Sequence, residues 1–259
     1  MQSSIISKLM SVLTLIGASR TPLTFSELVV KSGLNKSTMH RLLAIGVAED
    51  VVQIDKSNKT YLLGAKVFDL VRNAYSGYDI QAVALDEMVR LHAVCDSNVT
   101  IGVPSGLEVV YLRMLEANHA LGSHQRPGMR EPMHCSASGK ALCAFLPDSV
   151  VAAKFDGYDF APLNSRTIAS QEAFLSALQQ VRTLGYATND REEYDHLVGI
   201  SAPIFNYMSE PVAVLNIWSP HARYSLQDLE KWAPDLIGAT QRVTALIGGR
   251  SPDPQSFGT

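Results

Sequence analysis

Between Asn35 and Leu43 the chain reads Asn-Lys-Ser-Thr-Met-His-Arg-Leu-Leu. Met39, Leu42 and Ile45 recur at three-residue steps, which places them on one helix face, toward a core. Lys36, Ser37, His40 and Arg41 fall on the other face, and Thr38 completes the first turn. A DNA backbone asks for cations near a helix start, and the major groove asks for hydrogen-bond donors. Lys36, Ser37, Thr38, His40 and Arg41 are therefore the candidate DNA contacts. Arg41 is the candidate for a two-pronged guanine contact or a phosphate clamp.

Other residue sets raise different chemistry. Gly139-Lys140 invites a phosphate-loop reading. That loop needs a Gly five residues earlier and a Ser or Thr after the Lys, where this chain has His134 and Ala141. A Ser-x-x-Lys nucleophile fails as well, since Ala137 stands three residues before Lys140. His134-Cys135, with Cys143 nearby, is the one candidate thiolate pair and defines an alternative: a Cys-dependent redox enzyme. No oriented acid, base and nucleophile can be assembled around it. His134, Cys135, His196 and His221 lack metal-ligand spacing, so neither a metal nor a cofactor is expected.

The elements that would position the first set follow from local signals. Asn35 can cap the helix that follows, and Gly33 suits a turn needing positive φ. Thr24-Phe25-Ser26-Glu27 is a capping box opening a helix to about Lys31, and Ser4 to Gly17 has helical periodicity. Helix, short turn and second helix make a helix-turn-helix. Val51–Ile54 and Thr60–Leu63 read as strands around a polar turn. Such a hairpin is a wing, with Lys56 and Lys59 at its tip able to reach phosphates or the minor groove. A protein-interaction module is the alternative for these helices, because paired helices also occur in proteins that bind no DNA.

Of 259 residues, 46% are apolar and 18% charged, as in ordinary soluble domains. The net charge of −3 hides a split. Residues 1–75 hold nine Lys/Arg against five Asp/Glu, and residues 76–259 hold 13 against 20. A basic first third on an acidic remainder suits a DNA-contacting module joined to something else. The three cysteines show no CxxC spacing, which predicts a reduced, cytoplasmic chain. No apolar run approaches the ~18 residues of a membrane span, so no membrane partner is expected.

Downstream, helical periodicity covers Lys66 to Gly77, with a break at Ser76-Gly77. It resumes from Ile80 to Val94, with Val83, Met88, Leu91 and Val94 inside. Strands are expected at 98–103 and 108–115 around the turn Pro104–Leu107, then at 186–189, 198–205 and 212–218. Helices are expected at 136–145, 147–155 and 170–184. One long helix from Ser225 to Ile247, bent at Pro234, closes the fold. Strands with flanking helices predict an α+β domain with an antiparallel sheet. Residues 249–259 read as a flexible tail.

Several blocks in order resemble the IclR family of bacterial transcription regulators. They are Gly33-Leu34-Asn35-Lys36-Ser37-Thr38-Met39-His40-Arg41-Leu42-Leu43 with Tyr61-Leu62-Leu63-Gly64, then Pro132-Met133-His134-Cys135-Ser136-Ala137-Ser138-Gly139-Lys140-Ala141-Leu142. Gly185-Tyr186-Ala187, Arg191-Glu192-Glu193 and Gly199 to Phe205 follow, with Pro211-Val212-Ala213-Val214-Leu215 to Arg223 last. The resemblance implies a winged helix-turn-helix at 1–64, a linker helix at 65–77 and a GAF-like effector domain at 78–248. It implies a homodimer or dimer of dimers on a palindromic DNA operator, controlled by a small organic or aromatic acid from a catabolic pathway. By the same resemblance, the effector pocket is lined by Ala137, Ser138, Asn189, Gly199, Asn216 and Trp218, with Asp190 beside it. Asn216 and Trp218, two apart on a strand, share a face. The amides at the helix start near Ser136–Ser138 could hold a carboxylate.

Overall fold

In the computed structural model, which describes residues 5–19, 21–74, 79–117 and 126–252, α1 (Ile5–Ala18) buries Val12 and Ile16 and leaves Ile5 and Met10 exposed. Thr24 closes the expected capping box on α2 (Phe25–Ser32): its hydroxyl accepts from the Glu27 amide, and Glu27 Oε2 accepts from the Thr24 amide at 2.8 Å. Gly33 ends α2 at φ 68°, a conformation that favours glycine. Asn35 caps α3 (Lys36–Ala48), whose Met39, Leu42 and Leu43 meet Val12, Leu28 and Val52 in one small core. The wing strands are β2 (Val52–Asp55) and β3 (Thr60–Leu63). A third strand, β1 (Leu23–Thr24), pairs antiparallel with β3; two residues are too few to show alternation in a sequence. Helix α4 (Ala65–Ala74) completes this unit, residues 1–79. The expected break at Ser76-Gly77 lies outside the described residues.

The second unit, residues 80–259, is built on a six-stranded antiparallel sheet in the order β6-β5-β4-β9-β8-β7. Its strands are β4 (Asn98–Ser105), β5 (Glu108–Leu115), β6 (Arg130–Pro132), β7 (Ala187–Asp190), β8 (Leu197–Phe205) and β9 (Pro211–Pro220). Strand β6 was not expected from sequence; its three residues include a proline at the sheet edge. Helices cover both faces, which is why all nine residues of β8 are buried. On one face α5 (Ile80–Cys95) and α10 (Ala233–Leu246) pack against Val198, Ile200, Ala202 and Ile204. On the other lie α6 (Ala137–Ala144), α7 (Asp148–Lys154) and α8 (Gln171–Leu184), with Val214 and Ala187 among their contacts.

Two expectations change. Val94 is 51% exposed, because the buried stripe of α5 runs through Ala84, Met88, Leu91 and Cys95. The closing helix is two helices. Ser225 caps the short α9 (Leu226–Glu230), and Pro234 sits in the first turn of α10. There its missing N–H costs nothing, so it starts a helix rather than bending one. Of the expected tail, residues 253–259 lie outside the described residues.

Candidate functional sites

The α3 face is built from its cap outward. Asn35 Oδ1 accepts the Thr38 amide at 2.8 Å and the Ser37 hydroxyl at 2.9 Å. Thr38 is half-buried and serves the cap, whereas Lys36, Ser37, His40 and Arg41 are exposed. The His40 ring meets Phe25 edge-on at 6.4 Å between centroids, which orients it from α2. Among the described residues Lys36 and Arg41 make no side-chain hydrogen bond or ion pair. At the wing tip the Asp55 carboxylate accepts the amides of Ser57 and Asn58 and the Asn58 side chain. These bonds hold its carboxyl below the usual range, the Asn58 side chain first. They brace a turn with Lys59 at φ 54°, and both Lys56 and Lys59 point to solvent.

The second site is a cavity of about 20 Å³ between the sheet and α6, room for roughly one water molecule. Five expected residues line it: Ala137, Asn189, Gly199, Asn216 and Trp218. Strand alternation explains the grouping. Even-numbered residues of β8 face α5 and α10, so Gly199 turns to the α6 side; on β9 it is Val214, Asn216 and Trp218 that do so. Trp218 belongs to neither apolar cluster of this unit, and its indole Nε1 is buried without a hydrogen-bond partner among the described residues. Trp218 is thus buried and lines the cavity.

Three expected residues stand elsewhere. Asp190 follows Asn189 on a strand and so faces the opposite side. It pairs with Arg166 at 2.7 Å and Arg191 at 2.9 Å, and lines a separate, wider cleft with Lys140 and Glu192. Ser136 Oγ caps α6 by accepting the Gly139 amide at 3.1 Å, so that donor is already used. Ser138 Oγ lies 2.9 Å from the Tyr111 hydroxyl, behind the lining.

Sequence reasoning missed Tyr111, Glu131, Glu193 and Tyr194, which line the same cavity. The Tyr111 hydroxyl donates to Glu131 Oε2 at 2.5 Å. Arg191-Glu192-Glu193 is the charge run that a sequence reads as a solvated loop. Instead Glu193 is 9% exposed, and Glu192 holds the buried Lys140 ammonium at 2.5 Å through both oxygens. The run is drawn inward because Thr167 Oγ1 donates to the Glu192 carbonyl and Asn164 Nδ2 to that of Arg191. Arg191 itself sits at φ 61°, strain that the clasp sustains. Burial, then the Glu131 carboxylate, push Glu193 up to about 9. The available signal was position: the run directly follows the strand carrying Asn189.

The thiol alternative finds no support in this geometry. All three cysteines are buried. Burial pushes Cys95 up to about 11 and Cys143 up to about 12, and Cys135 higher still, with Glu193 and Glu131 adding to it. A reactive thiolate needs the reverse. His134 Nδ1 lies 3.0 Å from the Tyr158 hydroxyl within an aromatic cluster. Among the described residues no three His, Cys, Asp or Glu side chains converge as a metal site, and no helix is long and apolar enough to cross a membrane.

Comparison with known proteins adds an independent line. The model of the IclR helix-turn-helix domain matches residues 6–45. The model of the bacterial transcriptional regulator IclR C-terminal domain matches residues 72–245. The HTH-type transcriptional regulator XynR of Escherichia coli is 27% identical over 243 residues, 94% of this chain and 96% of that protein. KdgR of the same organism is 27% identical over 241 residues, covering 93% and 91%. Among solved structures, Thermotoga maritima IclR shares the fold at a TM-score of 0.77 and 21% identity, over 94% of this chain and 98% of that one. An IclR homologue from Microbacterium hydrocarbonoxydans, solved with 4-hydroxybenzoate, does so at 0.79 and 22%, over 95% and 99%.

Proposed function

Because the chain belongs to the IclR family of bacterial transcriptional regulators, we propose that α3 reads an operator and that the cavity beside α6 receives the effector. The chain is a transcriptional regulator with a helix-turn-helix and an effector-binding domain, not an enzyme. We assign DNA contact to residues 1–64, the link to 65–77 and effector binding to 78–248. Lys36, Ser37, His40 and Arg41 contact the major groove, and Lys56 and Lys59 the flanking phosphates. Thr38 acts through the helix cap.

One observation carries the DNA assignment: two cations stand exposed, with no ion pair among the described residues, on the first turns of a capped helix, with base-reading donors beside them. One recognition helix reads few base pairs, so the protein works as a homodimer or dimer of dimers on a palindrome. Effector binding biases two arrangements of the DNA-reading helices, a coupling between distinct sites. The relative solved with 4-hydroxybenzoate favours an organic or aromatic acid as effector; the carboxylates lining the cavity count against it here.

Selection from random duplex DNA tests the assignment. An enriched palindrome whose affinity falls steeply with salt supports it. Recovery of no site, or affinity indifferent to salt, refutes it.

A further inference from the structure

Resting on the reading of the α6 cavity as the effector site, we propose that its ligand is a small organic cation, an amine with an aromatic body, rather than an acid. Glu131 and Glu193 both line the cavity, and no Lys or Arg is among its described lining residues. Lys140 is held by Glu192, and Arg191 by Asp190. An entering carboxylate would meet the like charge of Glu131 in a small, partly enclosed space, where such repulsion is stronger than in bulk water. An ammonium would meet its countercharge.

Two further features point to a ligand. The Glu193 carboxylate is nine-tenths buried on the cavity wall and accepts no hydrogen bond among the described residues. The indole N–H of Trp218, another lining residue, likewise has no partner among the described residues. Buried polar groups are seldom left so. The aromatic faces of Trp218, Tyr111 and Tyr194 suit a flat body and can attract a cation. The titratable groups facing Glu193 are Glu131, Tyr111, Tyr194 and Cys135. With its carboxyl pushed up to about 9, Glu193 carries a proton at neutral pH, the state of a buried acid lacking a cation. An arriving ammonium displaces that proton to solvent. The cavity has room for about one water, so an amine with an aromatic body must displace part of the lining to bind.

Three probes of one shape decide the matter: benzylamine, benzyl alcohol and benzoate, titrated calorimetrically into the full chain at neutral pH. Benzylamine is expected to bind at least about tenfold tighter than benzyl alcohol, benzoate not at all. The benzylamine heat should vary with buffer ionisation enthalpy as a proton leaves. Glu193→Gln should remove the preference for benzylamine over benzyl alcohol. If that variant fails to fold, the wild-type order alone decides. Benzoate or benzyl alcohol binding as tightly as benzylamine overturns the proposal, as does no benzylamine binding. Operator selection in parallel separates the two readings: DNA selected without amine preference sinks only the ligand class, whereas no DNA selected sinks the regulator reading.

Discussion

Arg41 stands exposed with no carboxylate to satisfy it among the described residues, so its charge is available to DNA. Arg41→Ala is expected to weaken operator binding by about 1–3 kcal/mol if it grips a guanine. If it grips a phosphate, the loss is uniform across sequences and the salt slope falls by about one; electrophoretic mobility shifts across a salt series distinguish these. Glu193 obeys the opposite logic. Its folded-state carboxyl is raised to about 9 from an unfolded value near 4.5. The unfolded chain therefore loses this proton first, and stability falls as pH rises between those values. Glu193→Gln should flatten that decline and raise Tm at pH 8 relative to the parent; an unchanged slope of Tm against pH would refute the assignment. The thiols give a third check. With all three cysteines buried and held protonated, a thiol reagent should modify none in the native protein and three after denaturation.

At the scale of elements, caps and close approaches decide where side chains point. Asn35→Ala removes the acceptor for the Thr38 amide and the Ser37 hydroxyl and should cost about 1 kcal/mol in denaturant unfolding. It also frees the α3 N-terminus to fray, so operator affinity should drop although Asn35 is no proposed contact. Helix α6 depends on Gly139 for another reason. A Cβ there would lie 2.2 Å from Met133 Cα, so Gly139→Ala must push α6 away from the segment leading out of β6. The expected cost is about 1–3 kcal/mol, with the Ala137 side of the cavity displaced. Unchanged stability would mean that α6 has slack the packing does not show. Strand parity acts in the same way: β7 presents Asn189 to the cavity and Asp190 to the opposite cleft.

For the whole molecule, two compact units each carry their own apolar core. Denaturant unfolding should therefore depart from a single two-state transition. Asn35→Ala should shift one phase and Gly139→Ala the other, read by following each variant at two spectroscopic probes. A single phase moved by both variants would mean that the units unfold together. Sedimentation of the free protein and of its operator complex tests the proposed dimer, and a monomer on a non-palindromic site would refute it.

Local rules carried the sequence a long way. A capping box, an N-cap, a left-handed glycine and a three-residue apolar step are interactions between near neighbours, so Thr24, Asn35, Gly33 and Met39 were legible before any fold was known. Strand parity likewise put Asn216 and Trp218 on one wall. What the sequence could not determine was which charged residues go inside. Glu193 reads as part of a solvated charge run until residues about 25 positions earlier clasp its loop, and Glu131 and Tyr111 join it only because β5 and β6 pair. Burial of a charge depends on partners distant in sequence, and those are brought together only by the tertiary fold.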